Sequence, residues 1–165
     1  MMDKYFYLVA QLPVLVFDKP SYMTADRFLE EADKWMRRRD FNRLKSVHLM
    51  DPVVDRKQSP VIRRVQAFEH SLRHDLSQWR LARKKNQEYK PFFPLSVVRE
   101  GNPLEIEKKL LRLRWQMIES LEQDHHFDLE LLTLYYLKLQ IQSKLTEYNK
   151  EKGMDSFQQI SKVSE

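Results

Sequence analysis

Asn102-Pro103-Leu104-Glu105 opens the stretch that decides the fold, and Asp124-His125-His126-Phe127-Asp128 divides it in two. Asn102 can cap a helix, Pro103 fits its first position, and Glu105 stands three residues after the cap, which completes a capping box. Ile106, Leu110, Leu113 and Met117 then recur at helical spacing, with Leu111, Trp115 and Ile118 on a neighbouring face. The second pattern begins at Leu129 and carries Leu131, Leu132, Leu134, Tyr135, Tyr136, Leu137, Leu139, Ile141, Leu145 and Tyr148. Its first half is apolar almost all round, and a helix of that kind must be covered by others. The spacing therefore predicts a long helical hairpin over residues 102–149 inside a larger all-α bundle.

Working outward, a chain of 165 residues forms one domain that can bury roughly 70% of its unfolded surface without a metal or disulfide staple. Cysteine is absent, which excludes disulfides, cysteine-ligated zinc, iron–sulfur clusters and thiol nucleophiles. The two glycines, Gly101 and Gly153, are far apart, so neither a Walker A loop nor a G-x-G-x-x-G loop can be written. No cofactor is expected. The net charge of +5 is unevenly placed: residues 1–100 hold 20 Lys/Arg against 13 Asp/Glu, and residues 101–165 hold 9 against 11. The basic character of the first two thirds suits an acidic protein surface or nucleic acid, although a solvated helical surface is the plainer explanation.

Towards the N-terminus, Tyr5-Phe6-Tyr7-Leu8-Val9-Ala10 reads equally as a strand or a buried helical turn. Gln11 and Pro13 interrupt this apolar segment, Asp3 weakens the positive start, and no small-residue cleavage site precedes Lys19-Pro20, all of which argues against a signal peptide. No apolar run approaches the roughly 20 residues needed to span a bilayer, so a soluble or at most peripheral protein is expected. Val14-Leu15-Val16-Phe17 should run extended over the core. Thr24 caps a helix to about Met36, with Phe28, Leu29, Ala32, Trp35 and Met36 on its apolar face. A short helix over residues 40–48 should bury Phe41, Leu44 and Val47, and residues 51–59 read as a loop.

Ser59-Pro60 starts a third strong helix, in which Ile62, Val65, Leu72, Leu76 and Trp79 form a seam suited to one partner helix. Pro91, Pro94 and Pro103 bracket a connection whose Phe92, Phe93, Leu95, Val97 and Val98 predict a packed crossover. Gly153 is placed to end the last helix. Residues 1–153 are thus one helical domain of about five helices, and residues 154–165 a polar tail that could dock one turn through Phe157 and Ile160.

His70 and His74 are spaced i, i+4 beside Glu69 and Asp75, but the acid precedes both histidines, unlike H-E-x-x-H, and Arg73 and Arg80 add repulsive charge. A solvated polar face explains them better than a metal. Glu69 falls on the Ile62–Trp79 seam, where a buried carboxylate must meet an arginine, with Arg73 one turn away. That predicts a structural ion pair rather than a general base. Arg37, Arg38, Arg39, Arg43 and Lys45 form one basic cluster, and Arg63, Arg64, Arg80, Arg83, Lys84 and Lys85 a second. All of these but Lys45 are the candidate partner-facing residues, and since most aromatics fall on apolar faces, nucleic acid is the weaker partner. His125-His126 could act as a pH-sensitive hinge, although paired loop histidines are usually just exposed. No nucleophile–base or paired-carboxylate arrangement is signalled, so an enzyme is disfavoured.

Two stretches resemble a known family. Asn102-Pro103-Leu104-Glu105-Ile106-Glu107-Lys108-Lys109-Leu110, continuing through Leu113-Arg114-Trp115, resembles the N/D-P-x-E-x-E segment of the C-type central-stalk component of V/A-type ATPases, called the d component in eukaryotes. Tyr7-Leu8-Val9-Ala10 and Thr24-Ala25-Asp26-Arg27-Phe28-Leu29 are similar to that family's opening segment and first helix. A closer likeness is to a bacterial family of unknown function encoded beside V-type ATPase genes. It is carried by Lys4-Tyr5-Phe6-Tyr7-Leu8-Val9-Ala10-Gln11-Leu12-Pro13, Leu113-Arg114-Trp115, Phe127-Asp128 and Tyr136-Leu137-Lys138-Leu139-Gln140-Ile141. Leu111 stands where the C-type pattern favours Asp, and the chain is shorter than a full C-type component. The resemblance implies part of that helical fold and a non-catalytic subunit or accessory factor of a rotary ATPase. Its implied partners are other V/A-type ATPase subunits, the central stalk first and the membrane ring as a further candidate. Its implied location is cytoplasmic, peripheral at the inner face of the membrane. The alternative is a small basic helical nucleic-acid-binding protein.

Overall fold

In a computed structural model, which describes residues 5–163, the chain is all-helical. Among the described residues there are seven helices and no strand: α1 (Phe6–Gln11), α2 (Ala25–Trp35), α3 (Arg38–Lys45), α4 (Pro60–Lys84), α5 (Ser96–Arg99), α6 (Pro103–Glu122) and α7 (Leu129–Val163). The long helices start where the sequence supplies caps. The Thr24 hydroxyl accepts from the Arg27 amide, Ser59 accepts from Ile62, and Asn102 and Glu105 form both halves of the capping box at 2.9 and 3.1 Å. The count exceeds five because α1 and α5 are short, with 6 and 4 residues. The ambiguous segment over residues 5–10 is therefore helical. Lys4 of the likeness motif lies outside the described residues, as do Ser164 and Glu165.

The hairpin is the spine. Lys138 meets Glu122 at 2.6 Å near the turn, and Lys108 meets Asn149 at 3.0 Å at the far end, so α6 and α7 run antiparallel. The apolar circumference of α7 is covered from several sides, as the pattern requires. Phe28 of α2 lies against Tyr135 and Tyr136, with ring centroids 5.5 and 5.9 Å away. The Gln140 side chain bridges Val47 and Leu49 just beyond α3, donating to one carbonyl and accepting from the other amide. The extended segment before Phe17 crosses the same helix: the Tyr135 hydroxyl donates to the Pro13 carbonyl at 2.8 Å. Just before α1, the Tyr5 hydroxyl donates to the buried Asp40 carboxylate, and burial together with that carboxylate pushes the phenol up to about 12.

Three expectations are corrected here. The second short helix starts at Arg38 and ends at Lys45, so Val47 is buried from the loop beyond it. Gly153 does not end α7, which runs on to Val163 with nothing within 4 Å of the place where a side chain would stand. A glycine in an exposed helix interior costs only about 1 kcal/mol, and strong helix formers such as Lys150, Glu151 and Lys152 precede it. The polar tail is thus helical over residues 154–163, with Phe157 and Ile160 exposed. Trp35, on the apolar face of α2 by spacing, is 51% exposed. It stacks on Tyr7 instead of entering the core.

The turn before α6 depends on a glycine. Gly101 sits at φ +101°, and a methyl group there would collide with the Glu105 carboxylate and lie 3.0 Å from its Cβ. That carboxylate is half of the capping box. We predict that Gly101→Ala costs about 1–3 kcal/mol, read as a lower thermal midpoint, because it adds backbone strain and displaces a cap together.

Candidate functional site

Two apolar clusters divide the interior. The larger gathers α1, α2, α3, the first turns of α4, the C-terminal half of α6 and α7. The smaller contains Leu72 and Leu76 of α4, Phe93, Val97 and Val98 of the crossover, and Leu110 of α6. Between them stands Glu69, 1% exposed. Arg114 of α6 donates two hydrogen bonds to its carboxylate, at 2.8 and 2.9 Å, and Arg73 adds a third at 2.9 Å. Burial is the largest single influence on the Glu69 carboxyl and pushes its pKa up, but the two arginines outweigh it and hold it below the usual range. Glu69 is therefore held ionised as a structural ion pair. The local partner is legible in the sequence; the principal one, Arg114, is not. Its signal is positional: Arg114 interrupts the Leu110–Ile118 apolar stripe at i, i+4 spacing, as Glu69 interrupts the seam on α4.

The predicted basic clusters fare differently in space. Arg37, Arg38, Arg39, Arg43 and Lys45 are all exposed around α3, and Arg38 lies 3.4 Å from Asp33. The second cluster is split. Arg63 and Arg64 occupy the first turn or so of α4, whereas Arg80, Arg83, Lys84 and Lys85 lie at its other end, roughly 24 Å away at 1.5 Å per residue. Arg63 is half-buried, with its Nε enclosed and unpartnered, so it is a poor candidate for a partner-facing residue. His70 and His74 are both exposed.

The end of α4 that carries Arg80 to Lys85 is shaped as a trough. Asp75 pins the chain after α4 back against it, accepting from the Tyr89 hydroxyl at 2.9 Å and from the Phe92 amide at 2.8 Å. This anchor places α5 and the start of α6 beside the last turns of α4. One depression of about 570 Å³ has Leu76, Trp79, Val98 and Ile106 in its lining, edged by Arg80, Arg83 and Lys84. A second, of about 1050 Å³, continues past Trp79 along Tyr89, Lys90, Leu95 and Arg99. The Arg83 guanidinium lies over the Trp79 ring, 5.4 Å from its centroid. Lys90 and Arg99 join this basic rim with no sequence signal of their own, because the fold of the crossover brings them there.

At the hairpin turn, the His125 ring lies 2.8 Å from Asp128, whose other oxygen accepts from the Leu131 amide at 2.8 Å. His125, Asp128 and Glu130 bring ligand-capable atoms within 4.8 Å of one another. One Asp128 oxygen accepts from the first turn of α7 and the other meets the His125 ring, which gives this cluster a structural role. His126 is exposed.

Fold and surface together define an all-helical domain with a stiff hairpin spine and a basic, partly apolar trough. Residues 83–164 match the model of a family described as Protein of unknown function (DUF2764). That segment contains the crossover, most of the trough rim and the whole hairpin. No curated protein and no solved structure matches the chain. Among the described residues, no helix is long and apolar enough to cross a membrane.

Proposed function

We propose that this protein is a non-catalytic subunit or accessory factor of a V/A-type rotary ATPase, working at the central stalk through protein contacts. One observation carries the reading. The residues behind the family likeness are also those that lock the helices together. Arg114 joins α6 to α4 through Glu69, and Lys138 joins α7 to α6 through Glu122 while its ammonium lies over the Trp115 ring, 4.8 Å from the centroid. Gln140 ties α7 to the segment after α3. A likeness concentrated in packing suits a rigid body that transmits force or templates assembly, where large, stiff contacts matter more than a reactive group. The basic surface at α3 and the end of α4 would face acidic subunits, and any membrane association would come through the complex.

The test is purification of the tagged full chain from its native host under mild conditions. Recovery of rotary-ATPase subunits in constant ratio is the expected result, accompanied by genomic residence among V-type ATPase genes. The second reading, nucleic-acid binding, is favoured by the exposed Tyr7–Trp35 stack just before Arg37. Recovery of RNA without ATPase subunits would reject the first reading in favour of the second.

A further inference from the structure

The trough at the end of α4 joins an apolar floor to a rim of one charge sign. Leu76, Trp79, Val98 and Ile106 make the floor. On the other flank of α4, Leu81 is 46% exposed beside Arg80 and Lys84. Arg80, Lys84 and Arg99 have no carboxylate within ion-pair distance among the described residues, whereas Arg73, at the inner end, is already committed to Glu69. Unneutralised cations around apolar surface create a field that favours an acidic partner and disfavours a basic one. Shape narrows the choice. A bilayer needs apolar side chains that protrude, and this floor is concave. Single-stranded nucleic acid needs open aromatic faces, and the Trp79 ring is covered by Arg83.

We propose that the trough docks an amphipathic helix of a partner protein, whose apolar ridge fills the floor and whose flanking Asp or Glu side chains meet Arg80, Arg83 and Lys84. The α4 side of the trough, from Leu76 to Lys84, extends about 12 Å, which is room for about two turns of helix with anchors at i, i+3 or i+4, and i+7. This deepens the rotary-ATPase reading by assigning a recognition mode, and it rests on that reading only for which complex supplies the helix.

The experiment places a photo-crosslinking amino acid at Gln87, an exposed residue that lines the trough with Trp79 and Arg83, in the full chain in its native host and sequences the crosslinked segment by mass spectrometry. A helix-forming segment with that apolar spacing and net negative charge is expected. Arg80→Glu with Lys84→Glu should lower its yield roughly tenfold or more, since like charges at an interface cost over 1.4 kcal/mol. The milder Arg80→Gln with Lys84→Gln should move it in the same direction. The same reversals at Arg38 and Arg39 should leave the yield unchanged. All the altered residues are exposed, so circular dichroism and the thermal midpoint should match the parent. Crosslinks to RNA, lipid or a neutral or basic segment, no crosslink above the unirradiated background, or indifference to the Arg80 and Lys84 changes would each overturn the proposal. The two readings fail separately. An acidic helix from another complex supports docking and rejects the ATPase assignment. ATPase subunits recovered equally well with both reversals reject docking and leave that assignment standing.

Discussion

Replacing Arg114 by methionine will destabilise the fold by about 3–5 kcal/mol, because it strands the Glu69 carboxylate in the interior. Glu69 is 1% exposed and receives two of its three arginine hydrogen bonds from Arg114. Arg73 remains in the variant, but it also donates to the Met50 carbonyl at 2.6 Å and cannot replace the two-pronged contact. The measurement is urea unfolding, where the midpoint should fall while the slope stays constant. The double variant Glu69→Leu with Arg114→Met should recover most of the loss, since an apolar pair of similar size removes both desolvation penalties. Recovery is favoured further because Arg114 Nη1 is buried without a hydrogen-bond partner even in the parent. A pH series separates this account from simple loss of packing. In the parent, the arginines hold the Glu69 pKa down, so their stabilisation is full above the unfolded carboxylate value and is lost as pH falls through the lowered folded value. In Arg114→Met, burial dominates and raises that pKa, so acid relieves the penalty. The gap between parent and variant should therefore narrow below about pH 4.5. A gap independent of pH would mean that lost volume, not charge, explains the effect.

The same ion pair shows what the sequence could reveal. Caps, prolines and apolar periodicity are local signals, and they located α2, α4, α6 and the start of α7 to within a residue or two. Glu69 on an apolar seam also announced an arginine, since a buried lone carboxylate is costly. Which arginine would dominate depends on the register of α4 against α6, and no local pattern sets that register. The surface is less legible still. Arg63 and Arg80 look alike in sequence, yet one is half-buried and the other lies on the trough. The trough itself depends on Asp75 pulling the crossover back onto α4, a contact between residues 14 and 17 apart. Gly153 shows the opposite error. Glycine is a common helix stop, but at an exposed position among helix formers its penalty is small enough for α7 to continue.

Phe28→Ala should cost about 3–5 kcal/mol, whereas Trp35→Ala should cost well under half as much, although both residues fall on the same periodic face of α2. Phe28 is 0% exposed and its ring is enclosed by Tyr135 and Tyr136, so truncation leaves a cavity against α7 that neighbouring rings cannot fill without leaving their rotamers. The cost then includes both the lost transfer free energy and the void. Trp35 stands at the last turn, 51% exposed, with Tyr7 as its stacking neighbour at 6.4 Å. Water already covers half of it, and its removal opens no cavity. A helix of 11 residues turns through about three turns, and an apolar stripe drifts across its surface over that distance. The two ends of one stripe therefore need not share one environment. Chemical denaturation of both variants decides the matter. Equal losses would place Trp35 in the core and remove the exposed Tyr7–Trp35 stack on which the nucleic-acid reading depends. Unequal losses, with Trp35→Ala near the parent, leave that stack available as a surface, and an RNA-binding measurement on Trp35→Ala can then be interpreted without a folding defect.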